Sequence, residues 1–243
     1  MRYAIIGDIH ANLTAFNAVM ADSECQGGVD KIWCIGDIIG YGPDPHDCIE
    51  LLRQTNHVCV AGNHDWAAIG KIDTADFNPD AAAASQWTAQ QLNTSDIEYL
   101  ENLPLVIEED DFTLVHGSPR DPIWEYLIST STAKESFNRF KSQFCLVGHS
   151  HVPLLFIESD GAYSSKQFLA GIRLALGKDR LIINPGSVGQ PRDDIPDASY
   201  AIYDSETGQI RLYRITYDIE ATQARMMRAG QPIRLIDRLS YGL

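Results

Sequence analysis

A chain of 243 residues with 44% hydrophobic and 21% charged residues can bury a large core, which argues against disorder and against a disulfide-stabilised miniprotein. Its net charge of −14 disfavours broad binding to nucleic acids or anionic membranes. The five cysteines contain no C-x-x-C pair, a pattern typical of reduced thiols. No apolar run reaches the ~20 residues that span a bilayer, and an acid already stands at position 8, too early for a signal peptide. We therefore expect a cytoplasmic protein without a membrane segment.

The first half of the sequence alternates short apolar runs with amphipathic stretches. The runs at 3–7, 31–36 and 57–62 predict β-strands, and the stretches at 13–24 and 45–54 have the spacing of helices. Strand–helix–strand alternation of this kind implies right-handed crossovers and a parallel core sheet. Ligands bind beyond the carboxyl ends of the strands in such sheets.

The second half predicts mostly strands. Residues 79–102 favour helices, and from 105 onward apolar runs dominate, with one clear helix at about 131–141. We expect an α/β fold in which two packed mixed β-sheets are flanked by helices, a four-layer α/β/β/α sandwich. We expect a single domain over 1–243, with a short helical tail at about 218–243 that is divided by a Gly-Gln-Pro turn.

Side chains that can bind metal follow five of the predicted strands. They are Asp8, His10, Asp37, Asn63, His64, His116, His149 and His151. Taken singly, Asp8 could cap a helix, Asp37 could start a turn, and His116 could be a hydrogen-bonded histidine at the edge of the core. Together, at the ends of neighbouring strands, these residues predict a shared site.

The blocks that carry these residues resemble the signature of the calcineurin-like metallophosphoesterases, which reads D-x-H, G-D, G-N-H-[DE], H and G-H-x-H. In this chain they stand in order as Asp8-Ile9-His10, Gly36-Asp37, Gly62-Asn63-His64-Asp65, His116 and Gly148-His149-Ser150-His151. The resemblance implies a phosphoric ester hydrolase with two divalent metal ions, and an in-line attack on phosphorus by a hydroxide that the ions share. It points to the small prokaryotic-type branch of phosphodiesterases and phosphatases.

The resemblance also implies a role for each residue. One ion would be held by Asp8, His10, Asp37 and His151, and the second by Asp37, Asn63, His116 and His149. Carboxylate, imidazole and amide ligands without a thiolate suit Mn, Fe, Zn, Ni or Mg, and we favour Mn or Fe. The predicted catalytic residues are His64, which would protonate the leaving oxygen, and Asp65, which could orient His64 or cap a helix.

Departures from the protein-phosphatase branch narrow the predicted substrate. That branch carries arginines where this chain has Tyr41 and Ala61, and an acid where it has Gly40. We therefore predict a small phosphorylated substrate, such as a phosphodiester, a nucleotide or a dinucleoside polyphosphate. A phosphoprotein (Ser/Thr) phosphatase is the alternative enzyme, and a non-catalytic metal-binding scaffold with the same fold is the alternative of another class.

Four residues are predicted to contact the substrate. They are Asn12, Tyr41, Arg120 and Arg192. Both arginines lie in loops with glycine and proline, where a guanidinium beside free N–H groups can hold a phosphate; an ordinary turn with a surface arginine is the alternative. Tyr41, Trp124 and Tyr126 could stack on a nucleobase or could simply pack in the core. The oligomeric state stays open.

Overall fold

The computed structural model describes residues 1–243. The strands are β1 Arg2–Ile6, β2 Lys31–Cys34, β3 His57–Cys59, β4 Val106–Glu109, β5 Phe112–Val115, β6 Phe144–Leu146, β7 Pro153–Ser159, β8 Ala162–Gln167, β9 Arg173–Ala175, β10 Arg180–Pro185, β11 Ala198–Asp204 and β12 Gln209–Ile215. The α-helices are α1 Leu13–Cys25, α2 Pro45–Arg53, α3 Asn63–Ala68, α4 Pro79–Gln91, α5 Thr94–Glu101, α6 Thr130–Phe137, α7 Ile219–Arg228 and α8 Ile233–Asp237. Short 3₁₀ turns occupy Thr74–Asp76 and Arg238–Ser240.

The strands pair into two mixed six-stranded sheets. The first has the order β3-β2-β1-β11-β12-β9, and the second has the order β4-β5-β6-β10-β7-β8. The predicted parallel pairing of β1, β2 and β3 is confirmed, although β11, β12 and β9 extend that sheet antiparallel. In the second sheet, β5, β6 and β10 run parallel.

The sheets pack face to face and each outer face carries helices, which confirms the predicted four-layer sandwich. Alternation along β1 divides its side chains between two cores, because successive residues of a strand point to opposite faces. Tyr3 and Ile5 lie in the core between the sheets, whereas Ala4 and Ile6 pack with Phe16 of α1. Helix α6 covers the outer face of the second sheet.

Several elements differ from the sequence predictions. Helix α3 begins directly at Asn63, where the sequence suggested only a strand exit. Strand β8 was not predicted because its sequence, AYSSKQ, is polar and mostly exposed, and β9 has only three residues. Residues 79–102 form two helices because Leu92 is extended and Asn93 caps α5.

The predicted helical tail folds back onto the body of the protein. Met226 of α7, Leu235 of α8 and Leu239 pack in one cluster with Tyr41 and with alanines of α4. This contact brings the end of the chain beside the loops that follow β2. The assignment of 1–243 to a single domain stays a prediction.

Candidate metal centre

The predicted metal ligands converge where the first three strands and β5 and β6 end. All seven side chains are buried. Asp8, His10, Asp37 and His151 have ligand atoms within 4.8 Å of one another, and so do Asp37, His116 and His149. The two groups share Asp37, which therefore lies at the position expected of a bridging carboxylate.

Individual distances place Asp37 between the two groups. Its Oδ2 lies 3.6 Å from His10 Nε2 and 3.3 Å from His116 Nε2. On the far side of the second group, Asn63 Oδ1 lies 3.0 Å from His116 Nε2. On the far side of the first group, Asp8 Oδ1 lies 3.4 Å from His151 Nε2. The eight expected contacts thus form two adjacent sets of four donors.

The polar atoms at the centre of these sets suit cations. Asp8 Oδ2 and Asp37 Oδ2 are buried, and neither accepts a hydrogen bond from the protein. His10 Nε2 and His151 Nε2 face each other at 3.0 Å, and His116 Nε2 lies 3.2 Å from His149 Nδ1. A buried carboxylate oxygen without a hydrogen-bond donor is costly unless a cation compensates it. The donor set therefore fits a pair of divalent ions.

Each of the four histidines has its outward nitrogen bound to a main-chain carbonyl. The pairs are His10 Nδ1 with Ile39 O at 3.2 Å, His116 Nδ1 with Ile35 O at 2.9 Å, His149 Nε2 with Trp124 O at 3.2 Å and His151 Nδ1 with Gln190 O at 2.6 Å. Because a carbonyl can only accept, the outward nitrogen carries the proton. In the neutral ring the inward nitrogen then keeps its lone pair, as metal-binding imidazoles require.

The backbone at the site adopts an uncommon conformation. Five ligands have positive φ angles near +50° to +62°, namely Asp8, His10, Asp37, His149 and His151. This region is rare for residues other than glycine. Main-chain hydrogen bonds compensate part of the cost, since the N–H groups of Asp8 and His10 donate to the carbonyls of Gly36 and Asp37. Such strain tends to cluster at functional sites.

Burial and mutual charge shift the pKa values of the cluster. Burial lowers the pKa of His149 to about 3, with His116 adding to the effect, and it lowers the pKa of His10 and His151 well below the usual value. Burial raises the pKa of Asp8 to about 7. His116 differs: burial opposes its charged form, but Asp37 outweighs burial and raises the pKa to about 10. Its imidazolium compensates Asp37, a task that a bound cation would take over.

His64 lies in the same cavity but outside both sets of donors. Its ring packs edge-on to His10 at 5.0 Å between ring centres, and it contacts Tyr41 and Phe77. Burial lowers the pKa of His64 to about 4. Its Nδ1 is buried without a hydrogen bond because the facing residue is Gly40, where a Cβ would lie only 2.6 Å from that nitrogen. The neighbour that could orient the ring is thus missing.

Asp65 is not that neighbour. Its carboxylate accepts hydrogen bonds from the N–H groups of Asp37, Ile38, Ile39 and Gly62, each at 2.9–3.2 Å. It therefore joins the start of α3 to the loop after β2 and has no hydrogen bond to His64. Of the two sequence interpretations, the helix-capping one agrees with these contacts.

Tyr41 and Arg192 line a cavity of about 160 Å³ whose floor is formed by metal ligands. Arg192 Nη2 donates to Gln190 Oε1 at 2.9 Å, and the guanidinium lies 5.8 Å from the ring centre of Tyr41. No carboxylate lies within ion-pair distance of Arg192. Trp124 and Tyr126 also line this cavity, and Tyr126 stacks on His149 with ring centres 3.9 Å apart.

The other two predicted substrate contacts lie elsewhere. Asn12 caps α1 by accepting from Ala15 N, and its amide donates to Gly189 O. Arg120 forms ion pairs with Glu125 and Glu135 and does not line the cavity. Both side chains are thus engaged in holding the structure.

The cavity has further wall residues that the sequence did not indicate. Phe77 and Asn78, between the first 3₁₀ turn and α4, line it together with Asp76. Phe77 packs edge-on to Trp124 with 5.5 Å between ring centres. No motif surrounds this segment, so only the fold reveals its position.

The loop after β10 supports the ligands from behind. Asn184 Nδ2 donates to Gly148 O at 2.7 Å and to Ser150 Oγ at 3.0 Å, and Ser187 Oγ donates to Asp8 O at 2.8 Å. These bonds hold the turn that separates His149 from His151, so each histidine reaches a different donor set.

Comparison with known proteins agrees with this site. The family model of the calcineurin-like phosphoesterase superfamily domain matches residues 1–208, so the fold and the donor set define a metal-dependent phosphoesterase. The chain belongs to the calcineurin-like phosphoesterase superfamily and is a hydrolase.

Two relatives match over nearly the whole chain. The crystal structure of a metallophosphoesterase from Sphaerobacter thermophilus has a TM-score of 0.91 and 46% identity, covering 100% of this chain and 99% of that one. An uncharacterized protein of Methanocaldococcus jannaschii is 39% identical over 98% of this chain and 97% of its own length.

Relatives with more specific names match in part. The symmetrical bis(5′-nucleosyl)-tetraphosphatase of Pseudomonas putida is 27% identical over 35% of this chain and 35% of its own length. Serine/threonine-protein phosphatase 2 of Escherichia coli is 27% identical over 43% of this chain and 46% of its own length.

No helix of the structure combines the length and the apolar character needed to cross a membrane.

Proposed function

We propose that this chain is a dinuclear metal-dependent phosphoesterase that hydrolyses small phosphodiester, nucleotide or dinucleoside polyphosphate substrates. One observation carries the proposal: two donor sets share Asp37, and ligands from both sets line a cavity that Arg192 also lines. A phosphate in that cavity would have cations on one side and a guanidinium on the other.

The proposed ligands of the first ion are Asp8, His10, Asp37 and His151, and those of the second are Asp37, Asn63, His116 and His149. When bound, a metal pair lowers the pKa of a water molecule and neutralises charge on the phosphoryl group. We favour Mn or Fe because nitrogen and hard oxygen donors without a thiolate suit these ions.

The chain's own residues would complete the reaction. A bond forms between the water oxygen and phosphorus while the bond from phosphorus to the leaving oxygen breaks. His64 would give a proton to that leaving oxygen; its position in the wall of the same cavity supports this role. Arg192 would hold a non-bridging phosphate oxygen and would disperse its charge in the transition state.

A small substrate suits the cavity better than a phosphoprotein does. Its aromatic wall of Tyr41, Phe77, Trp124 and Tyr126 offers flat surfaces against which a nucleobase can stack. The partial match to a bis(5′-nucleosyl)-tetraphosphatase supports nucleotide chemistry. The partial match to a serine/threonine-protein phosphatase is the reason to test the phosphoprotein alternative. Against that alternative, this chain has Tyr41, Ala61 and Gly40 at positions where the protein-phosphatase branch has charged residues.

The test is a substrate panel assayed with several divalent metals. The panel contains phosphomonoesters, bis(p-nitrophenyl) phosphate, mononucleotides, diadenosine tetraphosphate and phosphopeptides. We expect metal-dependent hydrolysis of the small substrates, lost on chelation, with phosphopeptides poorly cleaved. Preference for phosphopeptides would establish the alternative enzyme. Metal binding without hydrolysis of any substrate would favour the scaffold.

A further inference from the structure

A second cavity adjoins the one above the donor sets. Its volume is about 370 Å³, and it is lined by Asn78, Pro79, Asp80, Arg234, Leu235 and Arg238. Asn78 lines both cavities, so the two are neighbours along one surface. The wall of the second cavity combines the start of α4 with the C-terminal tail.

Both arginines of this cavity have donors to spare. Arg234 is exposed, and its guanidinium makes no ion pair or hydrogen bond within the chain. Arg238 donates from Nε to the main-chain oxygen of Leu243, the last residue of the sequence, and neither of its terminal Nη groups has a partner. Asp80 is the one carboxylate that lines the cavity, and it pairs with neither arginine. The chain has a net charge of −14, so two arginines without an aspartate or glutamate partner form a locally positive site.

Arg192 adds a third positive charge in the first cavity, which metal ligands also line. Burial lowers the pKa of Arg238 to about 10, and the positive charge of Arg192 lowers it further. Tyr41 stands beside both, since Arg192 lies over its ring and Leu239 packs against it. Three arginines thus line the two adjoining cavities, and none of them forms an ion pair with an aspartate or glutamate.

The packing of the tail fixes this arrangement. Leu235, Ile236 and Leu239 are buried in a cluster with Tyr41 and alanines of α4. Arg234 and Arg238, four residues apart on the same segment, line the cavity. The tail lies beyond residues 1–208, which the family model matches, so the arginine side of this cavity lies outside the matched domain.

We propose that Arg234 and Arg238 form a second phosphate-binding subsite, which selects substrates that carry further phosphate groups beyond the one that is hydrolysed. The inference rests on the proposed function of the donor sets. Guanidinium groups bind phosphate oxygens through paired charge-assisted hydrogen bonds. A nucleoside polyphosphate chain that enters along Arg192 would reach the tail arginines with its distal phosphates.

The first test compares two substrates in one enzyme with free Mn²⁺ held constant. The measured quantity is the ratio of kcat/KM for diadenosine tetraphosphate to kcat/KM for bis(p-nitrophenyl) phosphate. In the Arg234→Gln/Arg238→Gln variant we expect this ratio to fall by about tenfold or more, as lost hydrogen bonds to a charged group imply. Arg238→Lys alone, measured against Arg238→Gln, should recover part of the ratio. Arg228→Gln, an exposed position on α7 outside the cavity, is the matched control and should leave the ratio unchanged.

The second test measures binding and does not depend on turnover. In a His64→Gln background loaded with Mn²⁺, calorimetry compares diadenosine tetraphosphate with AMP. We expect the two arginine substitutions to weaken the binding of the tetraphosphate selectively. Equal loss for both ligands, or no loss for either, would overturn the subsite. Absence of metal-dependent hydrolysis of every small substrate in the panel by the wild-type protein would instead refute the proposed function, so the two failures are distinguishable.

Discussion

Each histidine of the donor sets has one ring nitrogen bound to a main-chain carbonyl and the other turned toward the remaining donors of its set. The carbonyls of Ile35, Ile39, Trp124 and Gln190 hold the ring orientations. Since these bonds also fix the tautomers, little reorganisation is needed when metal binds. Individual main-chain atoms therefore prepare the site before any cation enters it.

At the residue scale, His64 is the sharpest test of catalysis. We expect His64→Gln to lower kcat for bis(p-nitrophenyl) phosphate by about 10²- to 10⁴-fold, because the leaving oxygen loses its proton donor. The metal content should stay at the wild-type level, since His64 lies outside both donor sets. Elemental analysis and steady-state kinetics on the same preparation measure both quantities.

His46→Gln is the matched control for that substitution, because His46 is half-exposed and pairs with Asp96 away from the cavity. It should leave kcat unchanged. A parallel loss of metal and activity in His64→Gln would make His64 a ligand instead of a proton donor.

The chemistry of single residues was largely predictable from the sequence, whereas their conformations were not. Asp8, His10 and Asp37 could be recognised because their residue types suit metal and their spacing follows strand ends. Their positive φ angles could not be predicted from the sequence, because an aspartate or a histidine does not indicate that conformation as a glycine does. Asn12 and Arg120 were predicted to contact substrate. The Asn12 amide instead donates to the carbonyl of Gly189, which is distant in sequence, and the Arg120 guanidinium pairs with Glu135.

Short elements, more than the long helices, shape the site. Helix α3 starts at Asn63 and carries Asp65, whose carboxylate binds main-chain N–H groups on the loop after β2. The first 3₁₀ turn leads to Phe77, which covers His64. The strand exits were predictable from apolar periodicity, but these brief turns have too few residues to establish a period.

At the element scale, the bond between α3 and the β2 loop should contribute to both stability and metal binding. We expect Asp65→Asn to lower the free energy of unfolding by about 1–3 kcal/mol, because an amide NH₂ cannot accept the hydrogen bonds that a carboxylate oxygen does. Metal affinity should fall as well, since Asp65 holds the N–H of Asp37. Urea unfolding of the metal-free protein and metal titration measure the two effects.

Asp179→Asn, at an exposed position without a side-chain hydrogen bond, removes the same charge and should change neither quantity. If Asp65→Asn retained wild-type stability and metal affinity, the proposed link between α3 and the donor sets would be wrong.

At the scale of the whole molecule, the fold brings three arginines together in a chain of net charge −14. Arg192 lines the first cavity, and Arg234 and Arg238 line the adjoining one. The sequence predicted the layers of the sandwich because strand and helix periodicities alternate along it. It could not predict that the tail returns to Tyr41, since that contact joins segments almost 200 residues apart and depends on packing alone.

The central claim is that one chain binds two ions through a shared aspartate, and metal stoichiometry tests it most directly. Elemental analysis after loading with Mn²⁺ and removal of free metal should give about two equivalents per chain for the wild type. Asp37→Ala should lose both, because each donor set contains Asp37, whereas His116→Ala should lose about one. Hydrolysis should disappear on chelation and return when metal is restored. A wild-type protein that binds no more than one equivalent, or an Asp37→Ala protein that still binds two, would contradict the account.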